Sequence, residues 1–268
     1  MNCYDLFERV TLKALGVPSI DSKVGARIED GYKYLCSAFH ACAPVDYSDE
    51  HVRAAYMLVF APRYAIAWQQ YYGLDEFKFG YAGLRTPQSG AIKLNFIGSG
   101  PGSEIVGIAA SAILKHLRTD VNVIDTQPAW LDALNFCLDE VESSLAVAAP
   151  NLFHSSDLSE LQPQWPVVGS YVLSDIARQQ TLRSFLQDVA ARVPKQPALF
   201  LDTYDFQDEN GKSHHLADHF GIQAQWTVHL HKRCDLRGAM GDQFGSSPRL
   251  SIQEPALDPK VAVFKFRF

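Results

Sequence analysis

The pattern of apolar and polar positions divides the chain into a helical amino-terminal part and a longer part in which strands and helices alternate. Up to about residue 90, apolar residues recur at helical spacing, which predicts helices over 4–15 and 22–42 and a third from Ser48 onward. Beyond that point, apolar runs predict strands at 92–97, 121–124, 151–157, 166–173 and 197–201, and amphipathic stretches predict helices at 103–117, 131–147 and 177–193. Strands alternating with helices predict an α/β fold with a mostly parallel sheet and helices on both faces.

The third helical segment carries five aromatic residues spaced four apart. They are Tyr56, Phe60, Tyr64, Trp68 and Tyr72. Residues four apart form one slowly winding ridge on a helix, and Pro62 should break or kink this helix. The ridge is expected to pack against the other helices. The alternative is that part of it, with Arg63, covers an acceptor pocket, because aromatic faces suit flat or cationic molecules.

The carboxyl-terminal segment contains two extended runs, at 226–232 and 260–268, with no convincing helix between them. This arrangement predicts an antiparallel hairpin. The segment 80–90 is rich in glycine and proline and predicts a hinge. We therefore expect a helical amino-terminal cap over 1–90, which forms the substrate region, and a main domain over 91–268.

Composition and charge narrow the class of protein. With 268 residues and 47% hydrophobic content, the chain can form one large domain or a domain with a cap. Its net charge of −6 provides no overall positive field for nucleic acid, although a local basic patch stays open. No apolar run reaches the length of a membrane span, and the amino terminus lacks the pattern of a signal peptide. The five cysteines are scattered, which favours free thiols in the cytoplasm.

The candidate chemistry starts at the glycine-rich stretch LNFIGSGPGSEIVG, residues 94–107. Its apolar start, its alternate glycines Gly98, Gly100 and Gly102, and the helical pattern that follows predict a strand, a tight turn and the start of a helix. Glycines permit positive φ and let a ligand lie against bare backbone, and the helix amino terminus offers free N–H groups. The stretch therefore predicts a site for a nucleotide-like cofactor.

An acidic residue, Asp125, closes the second predicted strand. One carboxylate can accept hydrogen bonds from both hydroxyls of a ribose, and the tip of the second strand is where such folds place it. We expect Asp125 to bind a ribose. The structural alternative is that its side chain caps the helix that follows.

The spacing G-x-G-x-G followed by Ser103 and Glu104 resembles the first motif of class I S-adenosylmethionine-dependent methyltransferases. Dinucleotide-binding proteins instead require a glycine at position 103. The resemblance covers residues 92–268 and implies a seven-stranded Rossmann-like methyltransferase sheet, mostly parallel, with a terminal antiparallel hairpin. It implies S-adenosylmethionine as the cofactor. The motifs GSGPGSE and SYVLSD are together similar to the methyltransferase branch linked to ribosomal RNA modification.

The resemblance and the strand ends together give a set of candidate cofactor-binding residues. These are Gly98, Ser99, Gly100, Gly102, Glu104, Asp125, Thr126, Ser156, Asp157, Ser170 and Tyr171. In the family, the loop after the third strand holds the adenine, and Asp157 is the matching position. The alternative is that Asp157 caps the short helix after it. The sequence at 169–172 lacks the Asp/Asn-Pro-Pro-Tyr signature, which argues against methylation of an exocyclic adenine amine or a glutamine amide by that route.

Catalytic residues are predicted only as candidates, because methyl transfer from a sulfonium needs mainly proximity and orientation. A general base is optional, and Tyr171, Asp175, Asp202 and Tyr204 lie at suitable strand ends. Each acid there has the alternative of capping a helix. Histidines at 214, 215, 219, 229 and 231 have spacings that metal ligands use, but they form no complete ligand motif, so no metal site is predicted.

Three functions compete at this point. The first is a methyltransferase that acts on an unidentified acceptor, a small molecule or RNA, without a membrane partner. The acidic charge and the aromatic cap favour a small molecule, and the resemblance favours RNA. The second is a catalytically silent relative that serves as an assembly or partner module. The third, a nicotinamide oxidoreductase, is disfavoured by Ser103 and the terminal hairpin.

Overall fold

A computed structural model describes residues 3–41, 43–73, 91–110, 118–145, 151–179, 181–203, 205–207, 212–220, 227–235 and 260–267. Over residues 3–73 the described chain forms α1 (Cys3–Leu15), α2 (Ser22–His40), α3 (Glu50–Val59) and α4 (Ala61–Gly73). The hinge predicted at 80–90 lies outside the described residues. Within these ranges, no helix combines the length and the apolar character that crossing a bilayer requires.

The second part alternates strands and helices. In chain order these are β1 (Ala91–Ile97), α5 (Ser103–Ala110), β2 (Arg118–Ile124), α6 (Leu131–Leu145), β3 (Asn151–Ser155), β4 (Val167–Ser170), α7 (Val172–Arg178), α8 (Leu182–Arg192) and β5 (Pro197–Thr203). A small hairpin of β6 (Asp205–Gln207) and β7 (Ser213–His215) follows, and then come β8 (Thr227–Asp235) and β9 (Lys260–Arg267). Short 3-10 helices lie at Pro128–Trp130, Leu158–Glu160 and Leu216–His219.

The main sheet has the strand order β3-β2-β1-β4-β5-β9-β8. The first five strands pair in parallel, and β9 runs antiparallel to both β5 and β8. The predicted α/β fold with a parallel sheet is therefore confirmed. The strand order reverses between β1 and β4, and ligands in such sheets bind beyond the carboxyl ends of the strands at this point.

Two hydrophobic clusters cover opposite faces of the sheet because side chains alternate along each strand. On β5, Leu199 and Leu201 belong to the cluster that contains α1, α4, α5 and α6. Ala198 and Phe200 belong to the cluster that contains α7 and α8. The amino-terminal helices α1 and α4 thus share one core with the sheet.

The contact between α4 and α5 explains a glycine within a helix. A Cβ atom at Gly107 would lie only 2.3 Å from the carbonyl oxygen of Ala65 and 2.6 Å from Cβ of Trp68. Only a residue without a side chain permits this approach. Gly107 therefore brings α4 against the first helix of the glycine-rich motif.

Several predicted boundaries of the amino-terminal helices are settled by capping and by proline. The break predicted near Pro62 is confirmed, because α3 ends at Val59 and α4 begins at Ala61. The prediction that Ser48 caps the third helix is wrong. Asp49 is the N-cap, and its side chain accepts hydrogen bonds from the amides of His51 and Val52.

The predicted fourth strand and the helix after it are also corrected. The strand ends at Ser170 rather than at residue 173, because Tyr171 has a φ of 57° and cannot continue an extended strand. Helix α7 begins at once, and the single helix predicted over 177–193 is in fact two helices, α7 and α8. The loop predicted at 207–213 is bordered by β6 and β7.

Candidate cofactor site

The turn between β1 and α5 is built from three glycines in the left-handed region. Gly98, Gly100 and Gly102 have φ values of 66°, 52° and 90°. A Cβ atom at Gly98 would lie 2.3 Å from Cγ2 of Val172, and one at Gly102 would lie 2.8 Å from Cδ1 of Leu134. Both the backbone conformation and the surrounding space therefore require glycine here. The turn delivers the chain to the amino terminus of α5, whose first amides have no partner within the helix.

Asp125, at the tip of β2, is hydrogen-bonded to this turn. Its Oδ2 accepts from the amide of Gly100 at 2.8 Å, and its Oδ1 accepts from the amide of Gln127 at 2.9 Å. The residue is buried, which raises the pKa of its carboxyl, while the two backbone hydrogen bonds oppose that rise. An ionised carboxylate offers about four acceptor positions, so two are left for ribose hydroxyls. The structure thus joins Asp125 to the turn. Its Oδ1 also fixes the backbone after β2, but it does not cap the 3-10 helix that follows, whose N-cap is Gln127.

Aromatic residues cover the middle of the turn. A Cβ atom at Gly100 would lie 3.8 Å from Trp130 and 4.0 Å from Tyr56. The ring centre of Tyr47 lies 5.0 Å from the ring centre of Trp130 and 5.6 Å from that of Tyr56. Tyr47 and Tyr56 come from the amino-terminal part of the chain, so that part borders the candidate site.

The packing role predicted for the aromatic ridge is confirmed for two of its members, whereas its role with Arg63 as the cover of an acceptor pocket stays a hypothesis. Phe60 and Trp68 are buried and serve as core residues. Tyr56 and Tyr64 are half-buried at the strand tips, and Tyr64 stacks on Tyr171 with 4.4 Å between the ring centres. The side chain of Tyr72 lies outside the described residues.

Glu104 lies beneath the turn, in the first helical turn of α5. It is buried, and Oγ of Ser99 donates to its Oε2 at 3.0 Å. Ser170, at the end of β4, also hydrogen-bonds to this carboxyl, and its Oγ accepts from Nε1 of Trp68. Burial raises the pKa of Glu104 to about 7 in spite of these hydrogen bonds. Three of the predicted cofactor-binding side chains are thus brought together in the interior, namely Ser99, Glu104 and Ser170.

The remaining cofactor candidates lie at the exposed edge of the site. Thr126 and Ser156 are exposed, and they follow β2 and β3 respectively. Asp157 is also exposed, and its side chain accepts from the amide of Ser159 at 2.7 Å, which lowers the pKa of its carboxyl. This is the capping role that was the alternative for Asp157. Its contact with adenine stays a prediction.

The catalytic candidates fall into different environments. Tyr171 is half-buried, and its left-handed backbone is held by a 2.9 Å hydrogen bond from its amide to the carbonyl of Leu201. Asp175 is exposed and lies 2.7 Å from Nη1 of Arg178. Asp202 is fully buried and accepts from the amide of Ser174 at 3.1 Å, so it stabilises the start of α7. Tyr204 lies outside the described residues.

The histidine-rich segment is described only in part. His214 and His215 lie on β7, whereas the side chains of His219, His229 and His231 lie outside the described set. Among the side chains that are described, no three His, Cys, Asp or Glu residues come together in a way that could hold a metal ion.

Sequence reasoning missed Tyr47 and gave Trp68 no place near the turn. Tyr47 contacts Trp130 and Trp68 donates to Ser170, so each contact joins residues that are far apart in the chain, and nothing in the local pattern marks it. Gly107 did carry a signal, because an isolated glycine inside a helical pattern indicates close packing.

In comparisons with known proteins, the chain is similar to solved structures alone. No family model and no curated protein matches the chain. Magnesium protoporphyrin IX methyltransferase from Synechocystis, solved with bound S-adenosylmethionine, is 10% identical and matches over 93% of this chain and 98% of its own, with a TM-score of 0.43. An rRNA methylase from Streptococcus thermophilus is 11% identical over 71% of this chain and 95% of its own, with a TM-score of 0.38.

A third solved structure is an uncharacterized superfamily protein from Burkholderia thailandensis. It is 12% identical over 94% of this chain and 95% of its own, with a TM-score of 0.49. The five parallel strands with flanking helices show an α/β fold by themselves, whatever the likeness to these structures. Since these likenesses concern the fold at most, the cofactor and the activity must be argued from the residues of this chain.

Proposed function

We propose that this protein is a class I S-adenosylmethionine-dependent methyltransferase. The observation that carries the proposal is the hydrogen bond of 2.8 Å between the Asp125 carboxylate and the Gly100 amide. It unites a three-glycine turn, a helix amino terminus and a strand-tip carboxylate on neighbouring parallel strands. This combination suits a ligand that contains a ribose, because the turn presents its main chain to the ligand. The strand order with an antiparallel β9 supports the same family, including its seven-stranded sheet.

The residues of the site fit that cofactor. Gly98 is exposed, so its backbone is accessible to a ligand. Asp125 keeps acceptor positions for ribose hydroxyls, and Thr126 and Asp157 border the outer edge where an adenine would lie. When bound, S-adenosylmethionine supplies a methyl group on a sulfonium, which is already activated for in-line displacement.

The chain itself contributes binding, orientation and, where the acceptor requires it, removal of a proton. Positioning of two reactants can lower a barrier by about 7–11 kcal/mol in favourable cases. Tyr171 and Asp175 follow β4, and Asp202 lies near the end of β5, on the edge where an acceptor would approach. The exposed Asp175 is the better placed acid for proton removal, because Asp202 is buried against α7. Tyr204 stays a candidate from its sequence position.

The acceptor is proposed to be a small molecule, with RNA as the competing choice. Tyr47, Tyr56 and Tyr64 border the site, and burial raises the pKa of all three hydroxyls, with a smaller contribution from the charge of Asp175. Carboxylates and neutral tyrosines attract phosphates poorly.

Three described cysteines, Cys3, Cys36 and Cys137, are free thiols, which supports the cytoplasmic location proposed from the sequence.

A specific observation also favours the catalytically silent alternative. Both oxygens of Asp125 already accept backbone hydrogen bonds, and Trp130 and Tyr56 lie against Gly100. In that function the same contacts would stabilise a binding module, and the turn would bind no cofactor.

Calorimetry with S-adenosylmethionine and S-adenosylhomocysteine separates the two functions. We expect heat of binding and an increase in thermal stability with both, and neither with reduced nicotinamide cofactor. Asp125→Ala should abolish the binding heat. Asp21→Ala is the matched control, because the Asp21 side chain also accepts two backbone hydrogen bonds but lies at the start of α2. Absence of binding by the unmodified protein would favour the silent module.

A further inference from the structure

Four buried polar side chains form a continuous hydrogen-bonded chain from α4 to the glycine turn. Nε1 of Trp68 donates to Oγ of Ser170, Ser170 bonds to Glu104, and Glu104 accepts from Ser99. All four residues are at most 7% exposed. We call this set the Trp68–Ser99 chain.

The direction of these hydrogen bonds follows from the chemistry of the groups. An indole N–H can only donate, so the hydroxyl of Ser170 accepts from Trp68 and keeps its own proton for Glu104. An ionised carboxylate only accepts, so Glu104 is the end point for both serines. Each donor in the chain is therefore matched to an acceptor when Glu104 is charged.

A buried polar chain is unfavourable unless it is fully satisfied, and an apolar core would avoid that risk. The members of this chain come from four places in the fold, namely α4, the end of β4, the start of α5 and the turn itself. Ser99 lies between Gly98 and Gly100, so its side chain sets the position of the backbone that the cofactor would contact.

We propose that Trp68 is a positioning residue for the glycine turn and acts through Ser170 and Glu104. The amino-terminal helices would then be part of the cofactor site, and their position would set its affinity. This last consequence rests on the proposed function, whereas the positioning of the turn does not.

The titration of Glu104 can be distinguished from that of the other titratable groups around it. Asp125 faces it from the end of β2, Tyr56 from α3 and Cys137 from α6. Burial raises the pKa of the Tyr56 hydroxyl and of the Cys137 thiol, so both stay neutral near pH 7. In the first experiment, the Asp125→Asn substitution separates the titration of Glu104 from that of Asp125.

The first experiment follows the indole N–H signals of the ¹⁵N-labelled protein between about pH 5 and pH 9. The Trp68 signal is identified by its loss in Trp68→Phe, and Trp165 is the internal control. We expect the Trp68 signal to shift with an inflection near pH 7 that survives in Asp125→Asn and disappears in Glu104→Gln and in Ser170→Ala. A Trp68 signal that does not respond to pH, or an inflection that survives in Ser170→Ala, would overturn the proposal.

The second experiment measures affinity for S-adenosylmethionine by calorimetry. Ser170→Ala should weaken binding about tenfold, as expected for one lost hydrogen bond to a charged group, and Trp68→Phe about threefold to tenfold, as expected for one lost hydrogen bond to a neutral hydroxyl. The matched controls Trp165→Phe and Ser143→Ala remove an indole N–H and a hydroxyl at remote positions and should leave affinity unchanged. Unchanged affinity in both test variants would contradict the link to the cofactor. If the unmodified protein binds no cofactor while the indole titration is observed, the proposed function fails and the positioning of the turn stands.

Discussion

At the scale of single residues, the glycine turn gives a direct test of the site. Gly98 and Gly16 have nearly the same left-handed backbone, with φ values of 66° and 64°. A Cβ atom at Gly98 would lie 2.3 Å from Val172, whereas one at Gly16 would meet nothing within 4 Å. Gly98→Ala and Gly16→Ala therefore share the same backbone strain, of about 1–2 kcal/mol, but only Gly98→Ala adds a clash at the site.

We expect urea unfolding to show a loss of about 1–2 kcal/mol in Gly16→Ala and a larger loss in Gly98→Ala. Calorimetry should show unchanged cofactor affinity in Gly16→Ala and a loss of more than about tenfold in Gly98→Ala, because the shifted turn can no longer face the ligand. Equal affinities in the two variants would separate the turn from cofactor binding.

The buried carboxyl of Glu104 predicts a dependence of stability on pH. Its pKa is about 7 in the folded protein and 4.5 in the unfolded chain, so the unfolded chain releases the proton first. The folded state binds more protons between these values, and stability therefore falls as pH rises through this window. The fall is about 1.4 kcal/mol per pH unit at most.

Glu104→Gln should remove this contribution, so its stability relative to the unmodified protein should improve between about pH 5 and pH 7. Urea unfolding at several pH values checks this. Glu142→Gln, at an exposed position of α6, is the control and should follow the unmodified protein. A Glu104→Gln variant with the same pH dependence as the unmodified protein would show that Glu104 does not titrate in this range.

At the scale of elements, two glycines inside helices should respond to alanine with opposite signs. A Cβ atom at Gly107 would lie 2.3 Å from the Ala65 carbonyl oxygen, whereas one at Gly25 in α2 would lie 3.6 Å from Ile20, an ordinary contact. Gly25→Ala should gain up to about 1 kcal/mol from helix propensity. Gly107→Ala should lose about 1–3 kcal/mol because α4 and α5 must move apart. Urea unfolding measures both, and a stabilised Gly107→Ala would contradict the close packing.

The elements that the sequence predicted well are those fixed by local pattern. The five parallel strands and most helices follow from periodicity, and the break near Pro62 follows from the geometry of proline. The end of β4 could not be predicted, because the left-handed backbone of Tyr171 depends on Leu201 and Tyr64, which are distant in sequence. The N-cap was misplaced by one residue because Ser48 and Asp49 are both good caps and only the fold chooses between them.

At the scale of the whole molecule, the candidate site also has contacts that the sequence predicts and contacts that depend on how the fold packs. Gly100 and Asp125 could be placed together from sequence because the carboxyl ends of neighbouring parallel strands meet at one edge. The Trp68–Ser99 chain and the contact of Tyr47 with Trp130 could not, because they depend on how α4 and the loop before α3 pack on the sheet. Sequence alone therefore located the turn but not these contacts of the layer that covers it.

This layer leads to a prediction about the division of the chain at residue 90. One core cluster contains Leu6 and Phe7 of α1 and Trp68 of α4 together with side chains of the sheet. Glu140 of α6 also lies 2.6 Å from Arg9 and 2.7 Å from Lys13, both of α1. A fragment of residues 91–268 would expose the face of the sheet and of α5 and α6 that these residues cover.

We therefore expect residues 91–268 expressed alone to lack cooperative thermal unfolding and to bind no S-adenosylmethionine, because the exposed apolar surface favours aggregation or a loosely packed state. Addition of residues 1–90 as a separate chain should restore both properties in part, since the lost contacts are non-covalent. Circular dichroism and calorimetry on the fragment, the mixture and the intact chain make the comparison. Cooperative unfolding of 91–268 alone, with cofactor affinity equal to that of the intact chain, would show that the amino-terminal helices are an independent cap, and the role of Trp68 at the turn would then have to be abandoned.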